Sequence, residues 1–258
     1  MKPQKELPAL EPRLKSLRAW NWAMAVLHAV QGSIMLAVSS DFALPVTSAF
    51  LKFDPVSRRL NSLLDTLTTF KIGPLVAGFL FLSALFHLIN ALGFSTYVRN
   101  LMKNINPSRW IEYSLSATLM LVVIAMLVGI YDIASLILLF FLGVMMNLCG
   151  WAMEAHNQTT KKTSWLTFWF GCIAGFGPWL AIAIYLFGAY SAPPPFVYWI
   201  YFSIFIFFNC FAINMVLQYK KVGKWQDYLY GERVYMILSL VAKSLLAWQV
   251  FAGTLRPA

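Results

Sequence analysis

The run LSLVAKSLLAWQVF, residues 238–251, places Lys243 near the middle of the last long apolar stretch, Val234 to Thr254. A charged ammonium at the centre of a hydrocarbon span costs roughly 2.5–3.5 kcal/mol on insertion scales. Lys243 is also about as far from both ends of its stretch as a residue can be. Such a lysine is expected to be chemically occupied or paired.

The rest of the chain sets the environment of that residue. Of its 258 residues, 60% are hydrophobic and 12% are charged, a balance that points to an integral membrane protein. A membrane-spanning helix needs about 20 mostly apolar residues. Seven stretches qualify: Trp20–Ser40, Phe70–Phe94, Trp110–Tyr131, Ile133–Glu154, Trp165–Gly188, Phe196–Tyr219 and Val234–Thr254. Their connections are short, so the reading is one all-α, seven-helix bundle domain over residues 1–258. No tandem repeat or low-complexity segment interrupts it. The basic, proline-containing N-terminus has no small-residue cleavage site, so a removable signal peptide is not expected.

The net charge of +10 follows the same topology. Lys2, Lys5, Arg13, Lys15 and Arg18 precede the first span, and Arg99, Lys103 and Arg109 lie between the second and third. Lys161 and Lys162 follow the fourth span, and Lys220, Lys221, Lys224 and Arg233 lie between the sixth and seventh. All of these fall on one side, while Lys52, Arg58, Arg59 and Arg256, with Lys71 near the edge, fall on the other. The positive-inside rule then makes the N-terminus cytoplasmic and the C-terminus extracellular. Because the basic surplus is accounted for by topology, no nucleic-acid partner is expected, and membrane lipid is. Cys149, Cys172 and Cys210 lie inside spans without metal-ligand spacing and read as small hydrophobes.

The loop from Asp41 to Thr69 is longer than a structureless connection usually is. FALPVTSAFLKF, residues 42–53, suits an extended hairpin, whereas RRLNSLLDTL, residues 58–67, is more helix-like. A cap over the bundle is one use for this extracellular loop, and a dimerisation surface is another.

Few titratable groups lie within the spans. At 1.5 Å per residue, His28 and His87 lie about 10–12 Å from the cytoplasmic edge and Glu112 about 8–10 Å from it. Lys243 starts deeper, yet a helical side chain leans towards its own N-terminus, so all four can meet in one layer. Each has an ordinary reading alone: the histidines as interhelical hydrogen-bond partners, Glu112 as an anion near a helix start. Together they form a charge-balanced pocket in an apolar bundle, which marks a functional site. Ser239 stands one turn before Lys243 on the same face. Glu154, at the end of the fourth span, reads as a solvated carboxylate, with a relay to the cytoplasmic surface as the alternative.

One use for a deep lysine is a Schiff base with an aldehyde, since desolvation makes the amine nucleophilic. Once protonated, that imine needs a counterion, and Glu112 is the well-placed carboxylate. The aromatic-rich runs WLTFWFGCIAGFGPWLAIAIY (165–185) and FVYWIYFSIFIFFNCF (196–211) offer a slot for the apolar part of such a ligand.

At this point the chain resembles a heliorhodopsin. The resemblance covers nearly its whole length and is carried by SALFHLI around His87, RWIEYSLS around Glu112, FWFGCIAG with PW following, LQYKKVGKW, and GERVYMILSLVAKSLLAWQVFAGTL. It implies all-trans-retinal on Lys243 as a protonated Schiff base, Glu112 as counterion, and His28, His87 and Ser239 as polar surroundings. Trp169, Tyr185, Phe208 and Met215 match pocket positions of the family, Met215 bearing on colour. The family also has the inverted orientation derived above from charge, and forms a homodimer bridged by the long loop.

A pump of the microbial rhodopsin kind uses a second carboxylate eleven residues after the first on the third span, and that position here is Val123. The expectation is therefore a photoreceptor of the cell membrane, neither an ion pump nor an enzyme. Light would isomerise the retinal, the Schiff base would lose its proton into the His28/His87/Glu112 cluster, and a cytoplasmic partner would read the rearrangement. A light-gated ion channel is the alternative within the family, and a non-photoactive proton-coupled enzyme or transporter the alternative outside it. Glu112→Gln is expected to shift absorption to the red.

Overall fold

The computed structural model describes residues 7–188 and 193–255. Among the basic residues used for topology, Lys2, Lys5 and Arg256 lie outside the described residues. The elements follow in the order α1 (Leu7–Val38), β1 (Ala43–Asp54), β2 (Arg59–Lys71), α2 (Ile72–Leu92), α3 (Phe94–Leu101), α4 (Pro107–Leu127), α5 (Ile133–His156), α6 (Leu166–Gly188), α7 (Pro195–Lys220) and α8 (Tyr228–Val250). Seven of the eight described α-helices are long and apolar enough to cross a membrane; the exception is the short α3.

The spans follow the sequence expectation with shifted ends. α1 begins at Leu7, well before Trp20, and carries Pro12 within it. α4 begins at Pro107 and ends at Leu127, where Gly129 turns the chain at φ +99°. Asn106 caps α4 by accepting from the Arg109 amide at 3.2 Å, and Pro107 sits in the first turn, where its missing N–H costs no hydrogen bond. This cap draws Arg109 and Glu112 into the helix proper.

The helices form a ring. α1 packs on α2, α2 on α4, α4 on α5, α5 on α6, α7 on α8 and α8 on α1. Between α6 and α7 lies an aromatic layer in which Trp179 meets Tyr201, Phe205 and Phe208 edge-on, with ring centroids 5.3–5.5 Å apart. α8 runs on into a π-helical turn, Phe251–Leu255, whose Leu255 carbonyl accepts from Ser40 N–H at 2.9 Å, fixing the end of α8 beside the end of α1.

The connection after α1 corrects one expectation. From Arg59 onward the run RRLNSLLDTL is strand: β1 and β2 pair antiparallel from Ala43↔Lys71 to Asp54↔Arg59, with a bulge at Val46/Thr47. The leucines at 60, 63, 64 and 67 mimic helical spacing, but the ladder with β1 supplies the backbone partners that decide the outcome. The turn is tied by Asp54, which accepts from Val56 N–H at 2.9 Å and Ser57 Oγ at 2.7 Å. The base of the hairpin rests on the bundle through Thr47 N–H, which donates to the Tyr131 carbonyl, and through buried Val46. Its outer part stands free in the monomer, with Phe50, Leu51, Phe53, Leu60 and Leu64 all exposed.

Candidate functional site

Lys243 is buried and paired. Its Nζ donates to Glu112 Oε1 at 2.8 Å and to Ser239 Oγ at 2.6 Å, and lies 5.1 Å from the centre of the Tyr113 ring. Glu112 Oε1 also accepts from Ser83 Oγ on α2 and Ser116 Oγ on α4, both at 2.6 Å. A buried carboxylate needs this number of donors to offset its lost hydration. Ser83 and Ser116 were not singled out from the sequence, although Ser116 stands one helical turn after Glu112.

His28 and His87 stack with ring centroids 5.8 Å apart. The His87 Nδ1 is 2.9 Å from Asn21 Oδ1, while both ring nitrogens of fully buried His28 lack a hydrogen-bond partner among the described residues. The layer that depth alone indicated is therefore occupied by these side chains. Asn21 completes it from the first turns of α1's membrane span.

A cavity of about 350 Å³ extends from Lys243 and Ser239 between α4, α5, α6 and α7. Phe208 and Met215 line it; Trp169 and Tyr185 do not. Trp169 is 61% and Tyr185 47% exposed, both on the outer surface of α6. The cavity-facing residues of that helix are Phe168, Gly171, Cys172, Gly175, Phe176 and Trp179, one helical stripe, and Trp169 stands about 100° round from Phe168. The tryptophan of α6 that lines the cavity is Trp179. Glycines make the room: a Cβ on Gly175 would stand 2.5 Å from Met146 Sδ, and one on Gly150 would stand 2.4 Å from the Trp110 ring.

A second buried polar group lies nearer the N-terminal end of the bundle; it corrects the reading of Glu154 as a solvated carboxylate and places Arg109, assigned above to a connection, inside α4. Arg109 from α4 forms short ion pairs with Glu154 from α5 and Glu232 from α8, all three side chains being at most 5% exposed. Glu154 Oε2 accepts from the Asn106 amide N–H at 2.9 Å and Trp110 Nε1 at 2.7 Å. Glu232 Oε2 accepts from Asn106 Nδ2 at 2.7 Å. The Arg109 guanidinium lies 4.0 Å from the Tyr235 ring centre and 4.7 Å from that of Trp110. No metal-binding cluster of His, Cys, Asp or Glu occurs among the described residues.

The main cavity fits a long apolar molecule with one electrophilic end. Its lining is aromatic and aliphatic, its volume is in the range of small-molecule sites, and its amine stands at one end beside a carboxylate. Seven long apolar helices surround that arrangement. Among solved structures, the chain resembles a light-driven proton pump from Leptosphaeria maculans at TM-score 0.67 and 15% identity, over 92% of this chain and 94% of that one. It also resembles Exiguobacterium sibiricum rhodopsin at TM-score 0.59 and 16% identity, over 92% and 95% of the two chains. Cyanorhodopsin from Tolypothrix matches at TM-score 0.62 and 12% identity, over 93% and 94%. At these identities the likeness establishes the fold alone. Comparison with curated protein sequences returns no match. The heliorhodopsin family model matches residues 17–255, and the chain belongs to the heliorhodopsin family, as a multi-pass retinal photoreceptor.

Proposed function

We propose that this protein is a light sensor that moves no ions across the membrane, with Lys243 carrying the chromophore and Glu112 balancing its charge. The observation that carries this reading is the distribution of polarity about Lys243. Glu112, His28, His87, Arg109, Glu154 and Glu232 all lie level with it or towards the N-terminal end, whereas Val123, where a pump's second carboxylate would stand, is wholly buried among apolar side chains.

All-trans-retinal joined to Lys243 Nζ supplies the light absorption and the photoisomerisation. Glu112 holds positive charge at the Lys243 nitrogen in the dark, with Ser83 and Ser116 fixing its carboxylate and Ser239 orienting the nitrogen. After excitation that nitrogen passes its proton to the cluster of Glu112, His28 and His87. The loss of charge beside Glu112 weakens one of the two ion pairs between α4 and α8, and the helices rearrange at the cytoplasmic end. Charge bias supports a cytoplasmic N-terminus and an extracellular hairpin. A polar groove of about 710 Å³ among Asn157, Lys161, Lys221 and Trp225 lies at the proposed cytoplasmic face, where a signalling partner would be met. The exposed apolar residues of the hairpin support a homodimer joined through it.

The test is the visible spectrum of cells expressing the protein with all-trans-retinal, beside Lys243→Ala, with light-driven pH changes recorded. A visible band lost in the variant, with no pH change, is the expected result. A pH change would favour a pump or channel, and a colourless wild-type protein would favour a proton-coupled transporter or enzyme.

A further inference from the structure

Between the two buried polar groups lies a small cavity of about 30 Å³, lined among others by His87, Asn106, Arg109, Glu112 and Glu232. That volume suits one water molecule, and its walls provide the polar partners that a buried water requires. Glu112 and Glu232 therefore both face one space with room for a water.

The Arg109 cluster has an imbalance of charge. One guanidinium serves two carboxylates, so with both ionised the group carries a net charge of −1 in the interior of a membrane bundle. One added proton makes it neutral. The two carboxylates are not equivalent receivers. Glu154 is held by Arg109, the Asn106 amide and the Trp110 indole, and does not line the small cavity. Glu232 is held by Arg109 and the Asn106 side chain, and does line it. Of the two carboxylates, Glu232 is therefore the one that a proton arriving through this cavity meets.

We propose that Glu232 stores the proton displaced by light, as the distal member of a relay from the Lys243 nitrogen through Glu112 and one cavity water. This rests on the proposed non-pumping sensor and names where its proton is kept. The Lys243 nitrogen loses one proton, Glu112 ends as it began, and the Glu232 carboxylate becomes a carboxylic acid, so charge is conserved within the protein. Neutral Glu232 holds Arg109 less strongly. The tie between α4 and α8 at the N-terminal end is thereby loosened, while Arg109–Glu154 still joins α4 to α5. His87, Tyr97, Tyr113 and Tyr235 also line this space, and Tyr228 stands beside Glu232.

Light-minus-dark infrared difference spectroscopy tests the proposal. In the wild type, the C=O stretch of a new carboxylic acid is expected to rise as the Lys243 nitrogen loses its proton, with no proton detected in the medium by a pH-sensitive dye. Glu232→Gln is expected to retain its dark visible band and lose that infrared signal; Glu232→Asp is expected to keep the signal at a shifted frequency, which also serves if the Gln variant fails to fold. An unshifted signal in either variant, or stoichiometric proton release from the wild type, would overturn the proposal. A wild type without a dark visible band would instead remove the photoreceptor reading on which it depends.

Discussion

The two halves of the bundle on either side of Lys243 are built by different rules. Towards the hairpin, the interior is Val76, Phe79, Leu80, Leu121, Ile124, Ile182, Ile200, Leu246 and Val250, each essentially without exposure. Towards the N-terminal end, the interior holds Asn21, His87, Asn90, Asn106, Arg109, Glu112, Asn147, Glu154, Asn214 and Glu232. In a lipid solvent, helix association depends on packing and on interhelical polar contacts, because the apolar surface gains little from leaving lipid. The hairpin half uses packing, which has one good arrangement. The other half uses ion pairs and hydrogen bonds, whose strength depends on where protons sit. A rigid half against a titratable half is a division suited to a device that changes shape at one end only.

The largest expected effect is on the titratable half. Arg109→Ala leaves Glu154 and Glu232 facing one another without a counter-charge, and the loss is expected to be about 3–5 kcal/mol. It is read as a lower midpoint for thermal bleaching of the visible band. A variant as stable as the wild type would mean that the two carboxylates are already neutral, and the comparison between the halves would lose its electrostatic basis.

Val123→Asp probes the other half. It places a carboxylate among side chains that can neither donate to it nor balance it, at an expected cost of roughly 2.5–3.5 kcal/mol. The protein is expected to bleach at lower temperature and still to produce no light-driven pH change, because a second carboxylate without a hydrated path moves no protons. Light-driven pH change in this variant would show that the apolar half is less of a barrier than its packing indicates.

How much of this arrangement the sequence discloses depends on where each charge stands along its helix. Lys243 and Glu112 are legible because they interrupt long apolar runs, where a solvated reading has no place. Arg109, Glu154 and Glu232 sit within about two turns of helix ends, where charges are commonly solvated, so nothing in the linear pattern separates a buried triad from three surface residues. The Asn106 cap and Pro107 are the signals that draw Arg109 inside, since they start α4 earlier than hydropathy alone indicates. β2 escaped for another reason: its leucines carry helical spacing, and the partner strand that overrides it lies in a separate segment.

The smallest effect concerns the aromatic residues of α6. Composition alone makes Trp169 and Trp179 equal candidates for the cavity, and only the face of the helix separates them. Trp179 is 5% exposed and stacks edge-on against three rings of α7, so it holds the α6–α7 boundary of the cavity. Trp169 is 61% exposed and touches its neighbour Phe168 from outside. Trp169→Ala is therefore expected to change stability by no more than about 0.5 kcal/mol and to leave the absorption maximum in place. A displaced maximum would mean that the chromophore reaches past Phe168 to the outer surface of α6, and that the slot is open to lipid on that side.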